Sequence, residues 1–103
     1  MGKSEFSEKC YGLLKKIPKG RVSTYKEIAL ALRCKAYRAV GNAMKMNKNA
    51  PFVPCHRVVK SNGEIGGYMG TKVNILKKIK LLKKEGVQVL NGEIDLDKFL
   101  FKF

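Results

Sequence analysis

Two short helical patterns only a few residues apart, TYKEIALAL at 24–32 and KAYRAVGNAMK at 35–45, restrict this chain more than any other feature in it. In the first, Thr24 is placed to cap a helix, with Glu27 three residues on completing a capping box. Ile28, Ala29 and Leu32 then fall on one inward face. In the second, Ala36, Ala39, Val40 and Ala43 share a face, and Arg38, Gly41, Asn42 and Lys45 share the opposite one. Two short helices joined by a tight turn, the second carrying small, basic and amide-bearing residues outward, form a helix-turn-helix pattern. Small residues let a helix backbone come close to a groove, and Arg38 and Lys45 reach phosphates or the base stack. The same alanines and glycine also suit close packing against another helix.

The flanking sequence predicts a mainly helical domain with a short strand and hairpin component, winged helix-turn-helix-like. Its 103 residues fit a single domain spanning 1–103. Residues 4–17 place Phe6, Cys10, Leu13 and Ile17 on one helical stripe, with Cys10 a small core residue. PKG at 18–20 stops that helix, and RVSTY runs briefly extended. Prolines in NKNAPFVP keep the backbone non-helical, CHRVV reads as a short buried strand, and KSNG as a turn. GGYMG lacks the lysine and the strand-to-helix setting of a phosphate-cradling loop. A second amphipathic helix covers about 72–84, with Ile75, Ile79 and Leu82 inward and Lys77, Lys80 and Lys84 solvated. Glu85 and Gly86 end it, and Asn91-Gly92 in the tail signals a hairpin packed over the core.

Charge narrows the partner. Twenty-two Lys plus Arg against eight Asp plus Glu leave a formal net charge of +14. Such an excess attracts polyanions, nucleic acid first and an anionic membrane surface second. No segment approaches the roughly 20 apolar residues needed to span a bilayer, and no apolar signal segment opens the chain. An intracellular, cytoplasmic protein with reduced thiols follows as the expectation. Cysteines 10, 34 and 55 have neither a pairing pattern nor zinc-ligand spacing, so no metal and no cofactor are expected.

Cys55 is the unusual one, because His56, the only histidine, and Arg57 follow it directly. A thiol becomes a strong nucleophile only when ionised. His56 can take the proton, Arg57 can stabilise the anion, and helix N-termini can add positive potential. A carboxylate orienting His56 would complete a Cys-His-acid relay. Among the eight carboxylates Glu85 stands out only by its place at the end of the last long helix. A buried cysteine beside a structural histidine fits the pair equally well.

PCHRVV and RAVGNAM, with the spacing between them, resemble the O6-alkylguanine-DNA alkyltransferases, over roughly residues 4–90. These repair proteins move an alkyl group from guanine O6 onto their own cysteine. The resemblance implies that Cys55 is the alkyl acceptor, His56 the base acting through a water, and Glu85 the acid that orients it. Asn47 resembles the asparagine bracing the active-site turn, Tyr25 the tyrosine that crowds a phosphate, and Arg38 the finger that fills the vacated base stack. Gly41, Asn42 and Lys45 join Tyr25 and Arg38 at the DNA. The carbonyls of Cys55 and Val58 would take the guanine amino group, and Pro51, Tyr68 and Met69 would line the pocket. The implied partner is double-stranded DNA containing O6-alkylguanine, met by a monomer, with no membrane and no cofactor. Met69 stands where many relatives have a serine, and the family's usual N-terminal domain is expected to be absent.

Two rival readings use fewer of these residues. A non-catalytic lesion binder of the alkyltransferase-like kind would not need Cys55. A helix-turn-helix regulator would use Arg38 and the charge, leaving Cys55, His56, Asn47 and Glu85 without purpose. A thiol hydrolase lacks an evident oxyanion site.

Overall fold

A parallel pair of two-residue strands divides the interior into two apolar clusters, and the helices are arranged about that division. The computed structural model describes residues 3–50, 52–67 and 75–103. Strand β1 (Ser23–Thr24) lies beside β2 (Val58–Val59) in the register Ser23↔Val58, Thr24↔Val59. Because successive strand residues face opposite ways, Val58 enters one cluster while Val22 and Val59 enter the other.

The first cluster joins Cys10, Leu14, Ile17, Ile28, Val40 and Cys55 beneath helices α1 (Lys3–Leu14), α2 (Tyr25–Ala31) and α3 (Tyr37–Lys45). The expected stripe of the first helix holds at Cys10, but the helix stops before Ile17. Hydrogen bonds from Lys16 N to Leu13 O and Ile17 N to Leu14 O tighten the last turn. Leu14 is thereby fully buried, Leu13 half-buried, and Ile17 still reaches the core from beyond the helix end. At α2 the Thr24 hydroxyl accepts from Glu27 N at 3.1 Å, the predicted cap. In α3 the inward residues are Val40, Ala43 and Met44. Ala36 is exposed rather than inward, because the helix begins at Tyr37 and Ala36 only precedes it. Tyr11 Oη donates to Ala43 O at 2.8 Å and ties α1 to α3.

The second cluster, Val22, Val59, Ile65, Leu82, Val87, Ile94 and Phe99, lies under α4 (Ile75–Lys84) and the C-terminal tail. Asn91 and Gly92 both have positive φ, 52° and 75°, and turn the chain between the bridged residues Leu90 and Glu93. That turn docks on residues 63–65 through Ile65 N to Gly92 O and Ile94 N to Gly63 O. A Cβ at Gly63 would meet Ile94 O at 2.7 Å, so only glycine permits this approach. The tail is more than a hairpin. It forms α5 (Leu96–Phe99), capped by Asp95, and then runs beside β1, with Phe101 N bonded to Val22 O at 2.7 Å. No helix among the described residues is long and apolar enough to cross a membrane.

The strand expected over CHRVV is half a strand. Cys55–Arg57 is a 3₁₀ turn and only Val58–Val59 is extended. Cys55 N bonds to Val53 O and Arg57 N to Pro54 O, so local turns capture the amides a strand would offer to a neighbour.

Candidate active site

Cys55 opens the 3₁₀ turn at the floor of the first cluster, with only 4% of its surface exposed. Asn47, eight positions earlier and fully buried, shapes the segment between them. Its Nδ2 donates to Val53 O at 2.7 Å and its Oδ1 accepts from Asn49 N at 3.0 Å. Burial pushes the Cys55 thiol up, while the Asn47 amide, the Lys78 ammonium and the local backbone N–H pull it down without prevailing. The resting group is therefore a thiol at neutral pH, which needs a base.

The adjacent imidazole is a candidate for one. His56 is 1% exposed, and its Nε2 lies 3.1 Å from Glu85 Oε1. Burial lowers its pKa further than Glu85 raises it, so the imidazole is neutral near pH 7. A neutral ring facing a carboxylate through Nε2 carries its proton there, which leaves a lone pair on Nδ1. That Nδ1 is buried and has no hydrogen-bond partner among the described residues.

Arg57 does not serve the thiolate as expected. Its Nε donates to Glu85 Oε1 at 2.9 Å, its Nη2 to Glu85 Oε2 at 2.7 Å and its Nη1 to Ile17 O at 2.8 Å. The 3₁₀ turn carries the guanidinium away from the sulfur and onto the end of α4. Burial opposes ionisation of Glu85, but the Arg57 fork and then His56 hold its pKa below the ordinary value. A carboxylate at a helix C-terminus is otherwise disfavoured. Here two partners fix it.

The positive charge that does act on Cys55 comes from Lys78, a residue the helical pattern did not single out. Its side chain is fully buried, and Nζ donates to Val58 O and Ile65 O at 2.6 Å and to Gly67 O at 3.0 Å. Burial brings its pKa down to about 7. A signal existed: Lys78 falls between Ile75 and Leu82 at the spacing of the apolar stripe, where a solvated lysine does not belong. Val58 O, expected to receive a guanine amino group, already accepts one of these bonds.

The outward residues of α3 lie on a separate surface. Arg38, Asn42 and Lys45 are exposed and Gly41 is half-buried. Nothing lies within 4 Å of where a Gly41 Cβ would stand, so packing within the chain does not require glycine there. Beside this helix is a cleft of about 470 Å³ lined by Tyr25, Lys26, Tyr37, Lys60, Ser61 and Asn62. Burial, and after it the Cys55 thiol, raises the Tyr25 phenol pKa. Pro51, Tyr68 and Met69 lie outside the described residues.

The sequence profile of the family described as 6-O-methylguanine DNA methyltransferase, DNA binding domain, matches residues 5–87. The chain belongs to this family. It is 40% identical over 92 residues to a bifunctional methyltransferase/endonuclease of Picrophilus torridus, covering 88% of this chain and 30% of the relative. To a methylated-DNA–protein-cysteine methyltransferase of Candida glabrata it is 46% identical over 86 residues, covering 82% and 40% respectively. The chain thus spans less than half the length of these methyltransferase relatives. Among solved structures, Schizosaccharomyces pombe Atl1 bound to damaged DNA containing O6-carboxymethylguanine superposes with a TM-score of 0.88. That match covers all of both chains at 32% identity.

Proposed function

We propose that this chain is a DNA repair protein that takes an alkyl group from guanine O6 in duplex DNA onto Cys55, once per molecule. The observation that carries the reading is the relay: a buried thiol, an adjacent neutral imidazole with a free Nδ1, and a carboxylate fixed on the far side of the ring. His56 Nδ1 takes the Cys55 proton and Glu85 stabilises the imidazolium that results. The sulfur then attacks the alkyl carbon. The S–C bond forms as the O6–C bond breaks, its electron pair stays with the base, and the proton is returned to guanine. The products are a neutral thioether and unmodified guanine. No group in the relay can expel an alkyl from a thioether, so the event is stoichiometric.

Access to a stacked base requires flipping, at a cost of a few kcal/mol. Arg38 on the open face of α3 is the side chain to fill the gap, and the absence of packing constraints at Gly41 suits close approach of a groove. Tyr25 with Lys26 and Lys60 makes the adjoining cleft a seat for a backbone phosphate.

Incubation with a duplex oligonucleotide carrying O6-methylguanine should add one methyl group, located on the Cys55 peptide by mass spectrometry. Cys55→Ala should bind the same duplex and gain nothing. A methyl on Cys10 or Cys34, or repeated turnover, refutes the reading. The whole-chain similarity to Atl1 on damaged DNA favours a second reading, a lesion binder. Lesion-selective binding with no mass gain in the native chain would establish it.

A further inference from the structure

Strands β1 and β2 run parallel, so the two ends of the pair differ in what surrounds them. Past their C-terminal end stand Tyr25, Lys26 and Lys60, with Tyr37 of α3, around the cleft that would seat a backbone phosphate. Before their N-terminal end lies a second gathering of positive charge, which neither the relay nor that cleft uses. The chain approaches β1 through Lys15, Lys16, Lys19 and Arg21, all exposed. The end of α4, with Lys83 and Lys84 exposed, comes alongside: a Cβ at Gly20 would stand 3.3 Å from Glu85 O. Arg57, leading into β2, joins the same two segments by holding both Ile17 O and Glu85.

The fold has little internal use for six cations here. None of them makes an ion pair with the described residues. Arg21 has one contact, a long 3.4 Å bond to Leu100 O. Glu85, beside Lys84 in the chain, is turned inward onto Arg57 and His56. The C-termini of α1 and α4 both point to this end, but each amounts to about half a negative charge. Together they offset one cation of the six. The remainder repel one another unless a polyanion supplies the missing countercharge.

We propose that this end is a second duplex-binding surface: while α3 and the cleft hold one stretch of DNA, Lys15, Lys16, Lys19, Arg21, Lys83 and Lys84 hold the phosphates of another. One molecule thereby bridges two duplexes. The bridge rests on duplex DNA being the partner of the first surface. The chemistry of the patch favours phosphate over other anionic partners. The exposed large apolar side chains of the described residues are Leu30, Tyr37, Met46, Phe52, Leu76, Leu90 and Phe103, and none falls in 15–21 or 83–86. A membrane surface or a protein interface would be gripped through such anchors. Lysines alone act as point charges, which suits backbone phosphates and reads no sequence. A chain already anchored on DNA also meets further segments of it at high local concentration.

The test is a bridging assay on the full chain. Protein is loaded on a bead-bound duplex, and capture of a second, fluorescent duplex of unrelated sequence is measured against salt. The native chain should capture it. Lys15→Gln, Lys19→Gln, Lys83→Gln and Lys84→Gln combined should load on the beads as the native chain does, yet capture roughly tenfold less of the second duplex. The log–log salt slope of capture should be shallower by up to about 3.6, some 0.9 for each phosphate contact removed. Circular dichroism identifies a fourfold variant that fails to fold, and Lys15→Gln with Lys19→Gln then serves in its place. A native chain that loads but captures nothing, or a folded variant that captures as well as the native chain, overturns the bridge and leaves the repair reading intact. A native chain that does not load refutes the DNA reading and the bridge with it. Binding to phosphatidylserine vesicles through these lysines, with no second duplex captured, would assign the surface to a membrane instead.

Discussion

Arg57 and Lys78 on one side, Arg38 and Lys45 on the other, are the same two residue types put to opposite uses. The inner pair is largely or wholly buried and donates to named acceptors: Arg57 to Glu85 and Ile17, Lys78 to three carbonyls. The outer pair is exposed on α3 and makes no ion pair with the described residues. A guanidinium with all its bonds made inside the chain cannot answer to a partner, while one with none made is available to phosphate or to a gap in a base stack. In a chain with net charge +14, composition alone cannot tell the two apart. Burial does.

Substitutions that treat the two pairs alike should expose the contrast. Arg57→Ala removes both hydrogen bonds of the fork on Glu85 and the bond to Ile17 O, leaving a mostly buried carboxylate with one partner. A loss of roughly 2–4 kcal/mol in denaturant unfolding is expected, within the range for breaking a mostly buried ion pair. An unchanged midpoint would show the fork to be ornamental.

Glu85→Gln tests the chemistry more than the fold. Without the carboxylate His56 is a weaker base, and methyl transfer near neutral pH should slow roughly 10- to 100-fold, as for a disabled general base. Affinity for the duplex should not move. The same variant carries a stability signature. The folded-state pKa of Glu85 is depressed, so its stabilisation is fully present above the ordinary value of 4.5 and lost as pH falls through the depressed one. Acid unfolding of Glu85→Gln should be less steep over that window. A normal rate for the variant would end the relay.

Arg38→Ala should leave the unfolding midpoint within about 0.5 kcal/mol, as exposed substitutions do. Repair of duplex DNA should suffer far more than transfer from free O6-benzylguanine, which needs no flipping. Equal losses on both substrates would make Arg38 structural. Gly41→Ala gives the smallest effect and the sharpest sign. Nothing lies near its Cβ, so helix propensity should raise stability by about 0.5–1 kcal/mol. The added methyl would meanwhile stand between the helix and the groove, and duplex affinity should fall. Stability and affinity rising together would remove α3 from the interface.

Much of this was readable in the sequence, for physical reasons that differ by place. The Thr24 cap and the Asn91-Gly92 turn are local, decided by a hydroxyl and by positive φ, and both stand as read. PCHRVV and the asparagine eight residues before its cysteine marked the place where Cys55, His56, Asn47 and Glu85 come together. What could not be read depends on distant partners. Arg57 finds Glu85 and Ile17 only because the 3₁₀ turn redirects it, and an alternating-strand reading of CHRVV hid that turn. Lys78 was passed over for another reason. In a helix with the sequence ILKKIKLLKK every lysine looks solvated, and its carbonyl cage lies up to 20 residues away in the chain.

The paired strands also order events in time. Residues paired between β1 and β2 stand 35 apart in the chain, and Val22, just before β1, is bridged to Leu100 near the end of the chain. The candidate site likewise gathers residues 17, 47, 55–57, 78 and 85. Contacts so far apart in sequence form late, after the local helices. A growing chain on the ribosome would therefore carry Cys55 as an ordinary thiol, without its base, until the tail has emerged and closed against Val22. Under the proposed single transfer onto Cys55, that delay arms the reactive group last.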